Sequence, residues 1–253
     1  MRFIRTLLLF ISVVTPGLAG AQGTTERLAL GDREYAAVRP EPALRHYEAV
    51  IALEPKHYEA LYKASRSEID LGEVETDKDR RNQYYRKGEE YARRAVAVHP
   101  DSAEGHFALA RALGRIALSL GPRDRVKYGT AVRDEAMAAL KIDPKHPGAL
   151  HVMGVWNAEI MRLNGFTRFV ARNFLGGKTF DSASWKEAVR YMEAAVAVEP
   201  WRIVHRIDLA DIYLDIRDTP KAKAQFEQIV KLANVDPKDP VYRKQAEAAL
   251  KKI

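Results

Sequence analysis

The chain of 253 residues contains no cysteine. That excludes disulfides, thiolate nucleophiles and thiolate metal sites, and it suits an oxidising compartment without requiring one. Catalytic signatures are equally absent. The seven histidines never adopt the His-Glu-x-x-His spacing or another metal-binding spacing. No Gly-x-Ser-x-Gly elbow occurs. The string Gly176-Gly177-Lys178-Thr179 resembles a phosphate loop only superficially, because Arg172 stands where that motif needs its first glycine. No stretch alternates apolar and polar residues long enough to build a sheet. The expectation is a chain with no catalytic residues, no cofactor and no metal, and therefore not an enzyme.

Long apolar runs are scarce as well. The one that stands out, Leu7 to Val14, follows Arg2 and Arg5, is broken by Pro16 and Gly17, and leads to Ala19-Gly20-Ala21. This is the layout of a secretory signal, with residues 1–21 removed and Gln22 as the new N-terminus. The run falls short of the roughly 20 residues that span a bilayer, and no cysteine follows it to carry a lipoprotein anchor. An uncleaved anchor is the alternative. The expected address is the periplasm or cell envelope, without stable membrane insertion. Removing residues 1–21 deletes two arginines and no acid, so the net charge falls from +7 to +5. That surplus is dispersed, which suits a soluble surface and not a nucleic-acid face.

What is present is repetition. Pro55, Pro100, Pro144, Pro200 and Pro237 each close a run rich in small and aliphatic residues, with near-copies such as Ala95-Val96-Ala97-Val98-His99-Pro100 and Ala195-Val196-Ala197-Val198-Glu199-Pro200. Helix pairs that end in proline resemble tetratricopeptide (TPR) repeats. The fold expected is all-α: a right-handed TPR-like superhelix of five helix pairs over residues 22–253, closed by a capping helix from Asp239. Small and large residues recur where paired helices interlock, as with Gly31 opposite Ala43, Tyr47 and Val50. The capping helix groups Val241, Tyr242, Ala246, Ala249 and Leu250 on one face.

The proline spacings of 45, 44, 56 and 37 residues exceed the roughly 34 of a standard repeat. Insertions are therefore expected near 72–87, 119–128 and 160–184. The first, which holds Glu73, Glu75, Asp77, Lys78, Asp79, Arg80 and Arg81, reads as a solvated helix extension or loop. The third carries Phe166, Phe169 and Phe174 at near-helical spacing before Gly176-Gly177. It reads as an added packed helix, as an apolar wall over the groove or, third, as a membrane-surface helix.

Gly114-Arg115, His146 to Trp156, Phe174-Leu175-Gly176-Gly177 and Ser184-x-x-Glu187-Ala188 resemble the TPR domain of the regulator of microtubule dynamics family and its exported bacterial relatives. The likeness covers roughly Leu61 to Pro200. Val155 stands where that pattern has arginine, which counts against an anion-binding role there. The resemblance implies a helical adaptor domain, linked in some animal members to microtubules or membrane contact sites. For an exported chain it implies the fold and the style of binding.

First helices of successive TPR pairs line the concave face. That frame places Tyr62, Arg66, Phe107, Arg111, Arg115, His151, Glu159 and Asp211 on the groove, with Ile207 and Asp215 near it. Arginines among aromatics suit an acidic peptide, a C-terminal carboxylate or a lipid headgroup. The alternative is that Arg111 and Arg115 only pair with Glu104, Glu159 or Asp211. His151 and Trp156 read as packing with a buried hydrogen bond. The expected partner is a protein or peptide held by an envelope scaffold; the alternative is a lipid-like ligand against Phe166, Phe169 and Phe174.

Overall fold

A computed structural model describes residues 16–165 and 177–253. Its helices are α1 (Pro16–Ala36), α2 (Pro40–Leu53), α3 (Tyr58–Val74), α4 (Lys78–Val98), α5 (Ala103–Ser119), α6 (Pro122–Ile142) and α7 (Pro147–Arg162). A 3-10 turn, Gly177–Ser182, precedes α8 (Trp185–Val198), α9 (Ile203–Asp215), α10 (Thr219–Ile229) and α11 (Asp239–Leu250). The pairs α1/α2, α3/α4, α5/α6, α7/α8 and α9/α10 pack within themselves, and each packs on the next. The fold is an all-α TPR-like superhelix, and among the described residues there is no strand. No helix among them is long and apolar enough to cross a membrane.

Local chemistry sets the helix ends. The side chains of His57, Asp77, His146, Ser184 and Asp218 each accept a hydrogen bond from a backbone N–H in the first turn of α3, α4, α7, α8 and α10, which satisfies a donor that the helix leaves unpaired. Proline occupies the first turn of α2, α7, α10 and α11, where a missing N–H is harmless.

Small residues then let the pairs interlock. Ala43, Tyr47 and Val50 on α2 are completely buried. A Cβ added at Gly31 on α1 would lie 2.5 Å from the Tyr47 ring, so only glycine admits the tyrosine there. Gly154 on α7 faces Met192 on α8 in the same way. The same stripe recurs as Ala136 and Ala139 on α6, and as Ala222, Phe226 and Ile229 on α10.

The first two expected insertions are absorbed as longer helices. Helix α4 and helix α6 each run 21 residues, and only Glu75 to Asp77 separates α3 from α4. The charge-rich 72–87 stretch is therefore helix almost throughout, but it is not wholly solvated. Tyr85 is buried against Gly72, and the Glu73 side chain is only 7% exposed. The C-terminal helix caps the last apolar face as expected, through buried Tyr242 and Ala246. Val241 departs from the expected face. It is 56% exposed, because the burying stripe of α11 runs through Tyr242 and Ala246, one turn apart, and Val241 falls about 100° away from it.

Candidate functional site

The first helices α3, α5, α7 and α9 turn one face inward. On α5, Phe107, Arg111 and Arg115 follow one another at i, i+4 and i+8 and so share a face. Between these helices lies a cavity of about 380 Å³. Six of the expected groove residues, Arg66, Phe107, Arg111, Arg115, His151 and Glu159, line it. Tyr62 borders a much smaller adjoining recess with Arg66, Phe107 and Arg111. Asp211 is not on the cavity wall; Asp208, almost one turn earlier on α9, takes that place. Ile207 is fully buried in the core, and Asp215 is held by Arg162 at 2.6 Å. Phe166, Phe169 and Phe174 lie outside the described residues.

The carboxylates that hold Arg111 and Arg115 are not Glu104, Glu159 or Asp211. Arg111 Nη2 binds Asp70 at 2.7 Å and Glu73 at 3.0 Å, and Arg115 Nε binds Glu73 at 2.7 Å. Burial pushes the Glu73 carboxyl upward, but Arg115, Arg111 and Lys238 outweigh it and hold its pKa at about 2. Glu73 belongs to α3, so the pairs tie the first helices of two successive repeats together.

The other cations on the wall are also internally paired. Arg125 binds Glu159 at 2.5 Å, Arg162 binds Glu159 at 2.8 Å as well as Asp215, and Arg202 lies 3.4 Å from Asp236. The Arg66 guanidinium sits 3.5 Å over the Tyr35 ring, a cation–π contact, and the Tyr35 hydroxyl donates to Asp70 at 2.6 Å. The groove is therefore ionic, and Arg111, Arg115, Arg125, Arg162 and Arg202 are paired with the protein's own carboxylates, whereas the buried Arg66 Nε has no hydrogen-bond partner.

Its other lobe is apolar. Val132, Val155, Trp156, Ile160 and Phe180 line it. Trp156 stacks on Phe180 with centroids 5.9 Å apart, and its indole N–H donates to the Gly129 carbonyl at 2.7 Å. Both members of the His151 and Trp156 pair make the buried hydrogen bonds expected of them: Trp156 reaches α6, and His151 meets His205 and Asp208. Val155 presents an aliphatic side chain to the cavity.

Electrostatics separate the acids of α9. Burial pushes Asp211 up to about 6, with Asp208 adding to the rise. Burial also acts against ionised Asp208, yet the His151 hydrogen bond and the charges of Arg115 and Arg162 keep its pKa low. Among the described residues, no group of three or more His, Asp or Glu side chains is placed to hold a metal ion. Sequence reasoning missed Asp208, Arg125, Arg162, Arg202 and Phe180. The 3.6-residue spacing from His205 was the available signal for Asp208.

Comparison with solved structures gives the same architecture. A thermophilic TPR protein of Thermus thermophilus superposes with a TM-score of 0.64 at 23% identity, over 90% of this chain and 98% of that one. Pseudomonas aeruginosa PilF superposes with a TM-score of 0.51 at 11% identity, over 92% of this chain and 90% of that one. In sequence, regulator of microtubule dynamics protein 3 of Bos taurus is 22% identical over 191 residues, 74% of this chain and 40% of that protein. Protein 1 of Mus musculus is 22% identical over 177 residues, 69% of this chain and 56% of that protein. The chain thus spans about half the length of these curated relatives or less. Residues 29–253 match the family described as regulator of microtubule dynamics protein 1–3, and the chain belongs to that family.

Proposed function

We propose that this chain is an exported, non-catalytic TPR scaffold that holds a protein or peptide segment in its concave cavity. The observation that carries the reading is the cavity itself: about 380 Å³ between the first helices of the repeats, apolar at Trp156, Val155 and Phe180 and rimmed by ordered ion pairs. A cavity of this size takes a few side chains, and apolar pockets with fixed polar rims are where interfaces concentrate their binding energy. The internally paired arginines shift the expected ligand away from a strongly acidic peptide. An apolar side chain entering beside Val155 and Trp156, with its own backbone meeting the polar rim, fits better. Export rests on the signal-like residues 1–21, and a place in envelope assembly or secretion would suit that address.

Charge reversal at Arg111 and Arg115 would break the fold's own ion pairs, so it does not isolate binding. Val155→Asp does, because Val155 is half-buried at the cavity wall and carries no pairing duty. The variant should remain folded, although a carboxylate beside the core costs about 1–3 kcal/mol, yet fail to retain the partner that wild-type protein retains in a pull-down from envelope extract. Undiminished retention by Val155→Asp would remove the cavity from the reading. Lipid recovered from the purified wild-type protein, and lost in the variant, would replace the peptide with a lipid-like occupant.

A further inference from the structure

Helices α7 and α9 are joined at the cavity wall by four side chains in a row. Glu199 Oε2 lies 3.1 Å from His205 Nε2, His205 Nδ1 lies 3.0 Å from His151 Nδ1, and His151 Nε2 lies 3.2 Å from Asp208 Oδ2. The imidazole centroids are 4.9 Å apart. His205 is 3% exposed and the His151 side chain 12%, so bulk water does not relieve the contacts between them.

Each of the three contacts joins two atoms that can both offer lone pairs, so each needs a proton between them. Two neutral imidazoles bring one N–H apiece, and two ionised carboxylates bring none. Whichever tautomers are chosen, two protons leave one contact repulsive. We propose that the row holds a third proton, shared between His205 Nδ1 and His151 Nδ1, and that this proton closes the joint between α7 and α9. Both Nε2–H groups then donate outward, one to Glu199 and one to Asp208. The row lines the cavity, but the need for the third proton does not rest on what the groove binds.

A metal ion is the other cation that two facing nitrogens would accept, and the distance argues against it. Bonds of about 2.0–2.1 Å to each nitrogen would set them roughly 3.3 Å apart in a tetrahedral site. The observed 3.0 Å falls within the range of an N–H···N hydrogen bond. No third ligand completes a metal site among the described residues.

The surroundings decide whether the charge is tolerated. Facing the row are Arg202 before α9, His146 at the start of α7, Arg115 on α5, Arg162 at the end of α7, Asp211 on α9, and Lys238 and Tyr242 from the C-terminal segment. Arg115 is paired with Glu73, and Arg162 with Glu159 and Asp215. Arg202, 3.7 Å from Glu199 and 3.4 Å from Asp236, opposes the extra proton, and the two end carboxylates favour it. Burial is the largest influence on His205 and pushes its pKa down to about 4, so a proton owned by that ring alone would already be gone at neutrality. Sharing keeps the charge from residing on one ring, and the titration then belongs to the row as a whole.

The test is nitrogen NMR of the imidazoles in the intact chain between about pH 5 and pH 9. Both Nε2 atoms should stay protonated, and the two Nδ1 signals should move together in a single step above about pH 7. Independent titration of the rings, or two neutral rings already at pH 7, overturns the proposal. So does a pattern that disappears on adding EDTA, which would mark a metal ion. A second measurement is stability against pH. A folded chain carrying one more proton than the unfolded chain has a folding constant that falls about tenfold per pH unit, beginning near the ordinary histidine pKa of about 6.5. Glu68, its pKa raised to about 7, adds its own fall in stability as pH rises toward that value, so the comparison is made in Glu68→Gln chains. There His151→Asn offers His205 Nδ1 a permanent N–H and should abolish the slope while retaining the fold. An unchanged slope in His151→Asn contradicts the proposal.

Discussion

Arg115 Nε lies 2.7 Å from Glu73, joining the middle of the third helix pair to the end of the first helix of the second. Because Arg111 shares the same carboxylate, one acid on α3 bridges two arginines on α5, and Asp70 supplies the second negative charge. Truncating the shared partner leaves two enclosed guanidiniums with only Asp70 between them. Glu73→Gln should therefore destabilise the chain by about 3 kcal/mol, measured by denaturant unfolding at neutral pH. The sign with pH follows from the lowered pKa of about 2. The contribution of Glu73 is complete above its ordinary value near 4.5 and is lost as pH falls through 2. A loss below 1 kcal/mol in Glu73→Gln would reduce the network to a surface contact.

Glu68 on α3 has the opposite character. It is 1% exposed, neither carboxyl oxygen has a hydrogen-bond partner, and Lys87 Nζ is 4.0 Å away. Burial pushes its pKa up to about 7, only partly offset by Lys87. A raised acid favours the protonated fold, so its effect is negligible below pH 4.5, grows as pH rises from there, and is complete above about pH 7. Glu68→Gln should match wild type in mild acid and be more stable by about 2–3 kcal/mol at pH 8. Equal stabilities at pH 8 would refute the assignment.

At Gly31 two effects compete. Alanine is the better helix former by about 1 kcal/mol, but its Cβ would meet the buried Tyr47 ring at 2.5 Å. Overpacking of this kind costs about 1–3 kcal/mol, and Tyr47 cannot easily retreat because its hydroxyl is bound to Asp32 at 2.9 Å. Gly31→Ala should lower stability by about 1 kcal/mol net; a gain in melting temperature would mean that the helices separate freely.

Val38, in the turn between α1 and α2, has φ of 59°. A β-branched residue is strained in that left-handed conformation, by about 1–2 kcal/mol. Val38→Gly should raise thermal stability, since relief of strain outweighs the flexibility gained by the unfolded chain. Arg217, with φ of 63°, should respond in the same direction but less, lacking the branch. A lower melting temperature for Val38→Gly would contradict the strain.

The helix pairs were legible because their signals are local: a closing proline, a small residue where backbones meet, and a bulky one opposite. The inward faces of α5 and α7 followed from the same spacing. Glu73 was not legible, because within its own stretch it is one charge among many and only the superhelix brings it beneath Arg111 and Arg115. The same holds for Lys238 and Tyr242, whose charges and rings act on α3 and α5 across the curvature of the whole chain. Asp208 was passed over for Asp211 because both lie close to the inner stripe of α9, and fine rotation of a helix is set by its neighbours.

The central claim is that partners enter the concave cavity. A photo-crosslinking residue placed at Val155 in living cells tests it most directly, with the same residue at Leu53, which is 60% exposed on α2, as the comparison. The account predicts a discrete protein adduct from position 155 and none of that size from position 53. The same adduct from both positions, or from position 53 alone, would contradict it.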